Sequence, residues 1–519
     1  MGRVGMTTQK MSEGVRPNWG HLMVMADAAR GQEILKNGNS NMIFCDDLGS
    51  VEGEAQDYTV VGRDEGALAI GFGYARFPAP WTRDYASFQR VMRRYAMEVN
   101  ERLADSRRFD TMIYDDADRC AGTTYADMCR MSYRQVIGAC KQAVSDTGNT
   151  KLYNFEAGGS GNISQADRLL VTAPLLLAYA PELAYELYAA VPDYIRMFPG
   201  FSSPYGNAPH HLGLWPIMAG SHLDNGVDST TDICILAASA VACGMDATEL
   251  DDYEYRYLVS LCDYLDLFTQ AQYEGNFAGE GSVDGSIRDN ANLRLKAVIA
   301  MDGVAKIASA RGNEADAARL TEMADRWEQI LRSKYVSGDH LRHGETVEWG
   351  LKYPLFFHRL LGLTRLSDLE ANELAYYATR SMDEYGMKLH GATSNMARVS
   401  ATMLTGALTA DINAWCVPVA AYMGIGSDAE EGKTLRPVGD RYNCVTGAAN
   451  GFIGSSGLGS IWGKVLLKKQ GLSGIESVEA DSAPAVPARE GIYDLTGRRL
   501  TRISAPGIYI VNGRKTLLR

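Results

Sequence analysis

The chain has 519 residues, of which 46% are hydrophobic and 22% are charged, and its formal net charge is −12. This composition is typical of a globular protein, and the length allows two or three domains. Lysine and arginine do not cluster with aromatic residues, which argues against nucleic-acid binding, and no run of about 18 apolar residues predicts a membrane span.

Residues 1–90 predict short strands rather than helices. The stretches Thr59 to Gly62 and Ala67 to Tyr74 combine β-branched or aromatic residues with flanking glycines. Residues 1–20 are polar and charged and lack the apolar core of a signal peptide. We therefore expect that the chain starts late, without its own export signal.

Residues 91–470 contain a succession of helix patterns, in which apolar residues recur at three- and four-residue steps. The predicted helices cover residues 87–103, 125–145, 181–195, 230–243, 251–271, 292–311, 314–335, 369–382 and 411–423. Helices joined in pairs, with polar loops rich in Gly and Asn between them, predict a large all-α domain of antiparallel hairpins.

The clearest hairpin covers residues 290–335. Gly312 predicts a left-handed end for its first helix, and Asn313 predicts the N-cap of its second. Glu314 and Asp316 place negative charge in the first turn, where the helix dipole favours it. We interpret the periodic residues of this hairpin as core, and we expect any chemistry on the loops that such hairpins hold.

The composition changes after residue 470. Residues 471–490 are rich in Ser, Ala, Pro, Glu and Gly, which is typical of a linker. Residues 491–519 contain two alternating β patterns, each closed by a turn that contains glycine. They resemble the C-terminal sorting tail of type IX secretion in Bacteroidetes. That resemblance implies recognition by the secretion machinery and a secreted or cell-surface protein.

Short motifs also follow one another over about residues 90–470. They are Tyr125-Ala126 with Tyr133-Arg134-Gln135, Tyr153 to Glu156 with Asp167 and Ala173 to Leu175, Ala208 to Gly213, Asn276 to Gly279, Asp289 to Ala297, Trp349 to Tyr353, and Thr446 to Leu466. Their sequences and order resemble the six-hairpin domain of the glutaminase A family, which are secreted proteins of fungi and Bacteroidetes. The resemblance implies a mainly α fold, an (α/α)6 toroid, with residues 1–90 as the remnant of a preceding β-rich domain and a small β tail at the C-terminus. It also implies hydrolysis of the side-chain amide of glutamine.

Other family positions differ in this chain. His211 stands where the family has an acidic residue, and residues 227–232 stand where it has paired glutamates before a helix. Two later family motifs would fall on residues 389–392 and 397–399, and neither is kept. The resemblance therefore leaves open a different substrate, or a loss of activity.

Hydrolysis requires an acid and a base, or a nucleophile with a base. Glu156 is the first catalytic candidate, because it matches a family acid and precedes a glycine-rich loop. Asp167 and Asp228 are the further candidates. Asp228 is equally well placed to cap the helix predicted at 230–243.

Substrate binding is assigned to a second group of residues. His210 and His211 lie in a loop between proline and glycine, where side chains often face a ligand, and a structural role fits them equally. Trp215 follows and is suited to stacking on a sugar ring or to packing. Asp232 is the last candidate, and its alternative role is to complement the dipole of its helix.

No metal or other cofactor is expected. Ca²⁺ is an alternative at Glu280, Asp284 and Asp289, whose loop is rich in oxygen ligands, although the spacing is not that of an EF-hand. His340 and His343 lack an HExxH pattern and predict a surface hairpin. The nine cysteines form no CxxC pair and predict small buried side chains rather than metal ligands or disulfides.

The favoured hypothesis is an exported hydrolase that acts on the side-chain amide of glutamine. One alternative is a six-hairpin glycoside hydrolase, which would need two facing carboxylates about 5–10 Å apart. The other is a non-catalytic glycan-binding protein on the cell surface. The partner is accordingly a small molecule or a glycan.

Overall fold

A computed structural model of the chain describes residues 79–145, 148–155, 160–199, 206–214, 218, 220, 222–270, 280, 287–393, 395–425, 437–451 and 453–472, together with eight strands before and after this span. The chain divides into two compact units, residues 1–473 and 474–519. In the described part of the chain, no helix combines the length and apolar character needed to cross a bilayer.

Helices make up most of the described part of the first unit, as the sequence predicts. They are α1 Phe88–Ala121, α2 Thr123–Gly138, α3 Ala166–Tyr179, α4 Pro181–Met197, α5 Gly226–Ala242, α6 Asp252–Leu267, α7 Ala291–Ala310, α8 Glu314–Tyr335, α9 Leu355–Leu360, α10 Ser367–Ala378, α11 Val399–Ala407, α12 Asn413–Met423 and α13 Gly463–Lys469.

Strands of the first unit form antiparallel pairs. The pairs are β1 His21–Met25 with β4 Ala69–Gly73, β2 Glu33–Lys36 with β3 Met42–Cys45, β5 Cys140–Val144 with β6 Thr150–Asn154, β7 Val336–Ser337 with β8 His340–Leu341, and β9 Met396–Arg398 with β10 Arg441–Asn443.

The second unit contains one small antiparallel sheet. Its strands are β11 Ile492–Asp494, β12 Arg499–Leu500, β13 Gly507–Val511 and β14 Arg514–Leu518, in the order β12-β11-β13-β14. The alternating patterns that the sequence shows after residue 490 therefore form strands.

Six elements of the first unit close a ring. Helices α3, α5, α7, α9 and α11 follow one another around it, and the 3-10 helix Ser456–Trp462 packs between α11 and α3. In α7, 17 of 20 residues are buried, whereas α8 outside it buries 6 of 22. Helices that are buried on all faces form the inner layer, and amphipathic helices form the outer one. This is the (α/α)6 toroid that the family resemblance implies.

The α7–α8 hairpin largely follows the prediction. Gly312 has a positive φ of 76° and ends α7, and Asn313 occupies the N-cap position of α8. Its side chain does not accept a backbone hydrogen bond, however, and instead donates to Asp316 at 3.0 Å. The capping part of the prediction is therefore wrong, because the side-chain amide binds a carboxylate rather than the helix end.

One predicted helix ends earlier than expected, and one observed helix was not predicted, each for an identifiable reason. The helix predicted at 125–145 ends at Gly138, because residues 140–144 pair with residues 150–154 as strands. Helix α3 was not predicted at all. It buries 12 of its 14 residues, so it has no polar face and no apolar stripe to detect.

Candidate active site

The N-terminal turns of three neighbouring inner helices carry most of the predicted polar residues. Asp167 lies in the first turn of α3, and Asp228 and Asp232 lie on α5. Helix α7 contributes Lys296, to which the sequence analysis gives no role. All four side chains are buried. The site therefore lies at one end of the inner helices.

Lys296 joins the two aspartates of α5. Its Nζ donates to Asp228 Oδ1 and, at 2.8 Å, to Asp232 Oδ1. Asp228 and Asp232 are four residues apart and so face the same side of the helix. Because both oxygens bind one ammonium group, they lie no more than about 6 Å apart. The three side chains form one buried cluster, called the lysine clamp below.

Burial and charge oppose each other in the lysine clamp. Burial raises the pKa of Asp228 and raises that of Asp232 well above its ordinary value, while the nearby Lys296 acts to lower both. Burial alone would lower the pKa of Lys296, but the two carboxylates hold it well above its ordinary value. The lysine therefore keeps its charge, and the carboxyls retain protons more readily than exposed aspartates do.

His210 lies between two carboxylates beside the clamp. Its Nδ1 lies 2.9 Å from Asp224 Oδ2, and its Nε2 lies 3.8 Å from Asp167 Oδ1. Burial lowers the pKa of His210, but its interactions with Asp167 and Asp224 outweigh burial and raise the pKa to about 10. His210 is consequently an imidazolium at neutral pH.

His211 has the opposite character. Its ring stacks on His222 with 3.8 Å between centroids, and its Nδ1 accepts from the Gly213 backbone N–H at 3.2 Å. Burial, reinforced by His222 and His210, lowers the pKa of His211 to about 4. His211 is thus neutral at pH 7 and can contribute hydrogen bonds and shape to the site, but no charge.

Glu280 is the centre of a second polar group near the N-terminus of α7. Its Oε1 accepts from the Tyr353 hydroxyl at 2.9 Å, and its Oε2 accepts from the side-chain amides of Asn290 at 3.0 Å and Asn292 at 3.3 Å. Tyr353 is also close enough to act on the charge of Lys296. Glu280 therefore borders the lysine clamp.

Of the residues considered for Ca²⁺, Glu280 and Asp289 bind different partners. Asp289 accepts from Arg294 Nε at 2.8 Å and also forms an ion pair with Lys334. Its negative charge is therefore balanced by these two cations. Asp284 lies outside the described residues. No group of three or more His, Cys, Asp or Glu suited to a metal ion occurs in the part of the chain that the structure describes.

A buried ion cluster holds α3 behind Asp167. Asp440 Oδ2 accepts from Arg168 Nη1 at 2.8 Å and from Arg398 Nη1 at 3.3 Å, and its Oδ1 accepts from the Ser400 backbone N–H at 2.7 Å. Burial favours a raised pKa for Asp440, but the two guanidinium groups lower the pKa below its ordinary value. This cluster links the start of α3 to the start of α11, and Asp167 itself accepts from the side-chain amide of Gln165 at 2.7 Å.

The structure brings together Asp167, Asp228, Asp232 and His210, with His211 beside them. Glu156 and Trp215 lie outside the described residues. The capping role considered for Asp228 is wrong, because Asn225 occupies the N-cap position of α5. Asp232 lies in the second turn, where it binds Lys296 rather than the helix end.

Sequence reasoning missed Lys296 and misplaced His343. The position of Lys296 among the mostly apolar residues 293–301 could have indicated a buried lysine. A buried lysine needs carboxylate partners, so it would have pointed to the aspartates. His343 was predicted on a surface hairpin, but it is buried and stacks on His390 with 5.0 Å between centroids. That part of the prediction is wrong.

Two concavities of about 630 and 400 Å³ lie around the C-terminal half of α7. Both are lined by Lys306 and Gly362, and neither is lined by a residue of the lysine clamp. Ten residues of helix separate Lys306 from Lys296, which corresponds to about 15 Å. These cavities are therefore separate from the polar cluster.

The relatives of the chain agree with this architecture. A sequence model of the glutaminase A six helical-hairpin domain matches residues 122–465. Glutaminase A of Aspergillus oryzae is 22% identical over 365 residues, which are 67% of this chain and 51% of that protein. The chain thus spans about half the length of this curated relative.

Solved structures with a similar course of the chain are more distant. A wild-type glycosidase is 13% identical, with a TM-score of 0.46 over 69% of this chain and 98% of that one. A mannosylglycerate hydrolase from Thermus thermophilus is 12% identical, with a TM-score of 0.36 over 59% of this chain and 92% of that one. Since the matched domain takes up more than half of the sequence and its hairpins are those of the ring, the chain belongs to the glutaminase A six helical-hairpin family.

Proposed function

We propose that the chain is an exported hydrolase that cleaves the side-chain amide of glutamine. The observation that carries the proposal is the convergence of Asp167, Asp228 and Asp232 with two cations, Lys296 and His210, inside a domain of the glutaminase A family. Amide hydrolysis needs a base to activate water, a group that stabilises negative charge, and a proton for the leaving ammonia. The cluster contains each of these types of group.

Asp228 is the candidate for the base, since burial raises the pKa of its carboxyl towards the neutral range in which a base works best, while Lys296 favours its ionised form. The imidazolium of His210 is suited to hold substrate or to stabilise developing negative charge, and Asp167 and Asp224 orient its ring. Glu156, which precedes a glycine-rich stretch in the sequence, remains a candidate acid. Asp232, held by the same lysine as Asp228, is a candidate for substrate binding.

Export is part of the proposal through residues 491–519, whose sequence resembles a type IX sorting tail. Fusing residues 474–519 to a periplasmic reporter in a Bacteroidetes host tests this part. The reporter is expected outside the outer membrane, and retention of the fusion in the periplasm would contradict the sorting role.

The central experiment measures ammonia released from L-glutamine by the purified chain. Asp228→Asn is expected to lower kcat/KM by about 100-fold or more, because loss of a positioned acid or base typically has that effect. The matched control is Asp302→Asn. Asp302 is a buried aspartate that pairs with Arg365 at 2.8 Å, away from the site, and its variant is expected to keep the activity.

Glycosides provide the competing arm of the same experiment. A folded protein that releases sugar from aryl glycosides, and no ammonia from glutamine, would replace the proposal with a glycoside hydrolase. A folded protein that binds glycans and hydrolyses neither substrate would replace it with a binding protein.

A further inference from the structure

Two buried acceptor atoms beside the lysine clamp have no hydrogen-bond partner in the described structure. Asp232 Oδ1 accepts a hydrogen bond from Lys296 Nζ, whereas its Oδ2 accepts none. Asn292 donates its side-chain amide to Glu280 Oε2 at 3.3 Å and to the Leu351 carbonyl at 3.0 Å, but its Oδ1 accepts nothing. Buried oxygen atoms of this kind normally accept a hydrogen bond. The two oxygens are therefore able to accept hydrogen bonds from a bound ligand.

The two acceptors lie on adjoining inner helices and next to the same ammonium group. Asn292 precedes Lys296 by four residues on α7, so the two side chains project from the same face one turn apart. Asp232, on α5, binds Lys296 directly. Both oxygens therefore lie near the ammonium group of Lys296, between α5 and α7.

The electrostatics at this place favour a cation as the donor. Asp228, Asp232 and Glu280 supply three carboxyl groups around the ammonium group of Lys296, while His210 acts on Asp228 and Lys352 acts on Glu280. Burial raises the pKa of Asp228 and Asp232, so a positive ligand favours their ionised form in surroundings that screen charge poorly. A primary ammonium group is positive and also offers three N–H donors.

We propose that Asp232 and Asn292 bind a primary ammonium group of the substrate, so that the site selects a free amino acid amide over an amide without that group. The reaction at the amide rests on the proposed function above. The ammonium subsite does not, because ligand binding alone can test it.

Isothermal titration calorimetry on the full chain tests the subsite with two matched probes. The first is 4-aminobutanamide, which has an ammonium group and an amide, and the second is butanamide, which lacks the ammonium group. The wild-type chain is expected to bind 4-aminobutanamide at least about tenfold more tightly than butanamide, because the ammonium group adds charge-assisted hydrogen bonds. Equal binding of the two probes, or binding of neither, would overturn the inference.

Two variants locate the effect. Asp232→Asn and Asn292→Leu are each expected to reduce the preference for 4-aminobutanamide to about twofold or less, whereas Asp302→Asn is expected to keep it. Circular dichroism confirms that each variant is folded, and Asn292→Leu alone decides the matter if Asp232→Asn does not fold. A preference that survives in both folded variants would contradict the assignment, as would a crystal structure with water between the two oxygens and the ammonium elsewhere.

Ammonia release separates the two proposals. Ammonium-selective binding without ammonia release from glutamine would keep the subsite and refute the proposed function. Glutaramic acid is glutamine without its amino group. Equal kcat/KM for glutamine and glutaramic acid would keep the proposed function and refute the ammonium subsite.

Discussion

Lys296→Met removes the only ammonium group of the lysine clamp and leaves Asp228 and Asp232 buried together. Loss of one partner from a buried ion pair typically costs about 3–5 kcal/mol. Without the positive charge of Lys296, one of the two buried carboxyls is expected to bind a proton and become neutral. For a carboxyl with an ordinary pKa of 3.8, one such proton costs about 1.4 kcal/mol per pH unit above that value. The expected loss is therefore about 4 kcal/mol at pH 7 and about 2 kcal/mol at pH 5.

The sign follows from the direction of the pKa shifts. Both carboxyls have a raised pKa in the folded protein, and removal of Lys296 raises it further. A group of this kind binds its proton more tightly when folded, so its stabilising contribution is complete below about pH 4 and is lost as the pH rises through the folded-state pKa. Urea unfolding of the wild type and Lys296→Met at pH 5 and pH 7 measures the difference.

Lys306→Met is the matched control on the same helix. Lys306 donates to the carbonyl oxygens of Leu361 and Gly362, so its loss is expected to cost about 1 kcal/mol at both pH values. A Lys296→Met penalty that is the same at pH 5 and pH 7, or below about 1 kcal/mol at pH 7, would refute the assignment of a buried charge cluster.

Gly459→Ala is expected to destabilise the domain by about 2–3 kcal/mol or more in urea, because the added Cβ would lie 2.2 Å from the Thr172 carbonyl oxygen. Gly138→Ala is its control, since nothing lies within 4 Å of that Cβ, and equal losses in the two variants would contradict the packing. Asp224→Asn is expected to lower the pKa of His210 from about 10 by at least about one unit, as measured by NMR titration of labelled histidine. The stabilisation that this imidazolium provides is complete below its ordinary pKa of 6.5 and is lost as the pH rises through about 10, so the variant is expected to lose it at lower pH. A titration curve unchanged by Asp224→Asn would contradict the role of that carboxylate.

The sequence predicts the outer helices better than the inner ones, for a physical reason. Helix α8 is half exposed, so its apolar stripe and its glycine-terminated predecessor are visible as a pattern, and its bounds of 314–335 are as predicted. Helices α3 and α11 are almost wholly buried, so their apolar residues follow no period. Strand β5 was taken for helix because its partner, β6, determines its conformation.

The candidate site shows the same division. The acidic residues Asp167, Asp228 and Asp232 were found because loops and helix starts are where functional groups are usually sought. Lys296 was overlooked because it lies within the most regular helix of the chain, where periodicity suggests core. The prediction that any chemistry lies on the loops did not consider Lys296, which lies with the rest of the lysine clamp on the inner helices.

The closure of the ring has a consequence for the order in which this protein acquires its structure. The 3-10 helix Ser456–Trp462 packs against segments that emerge early: the indole N–H of Trp462 donates to Ser132 Oγ at 2.9 Å, and the Ser456 hydroxyl donates to Asn154 Oδ1 at 3.0 Å. More than 300 residues of sequence separate these partners. A growing chain cannot make these contacts until nearly all of the domain has left the ribosome. Helix α3 must therefore keep one apolar side uncovered throughout synthesis, and contacts this distant in sequence make folding slow.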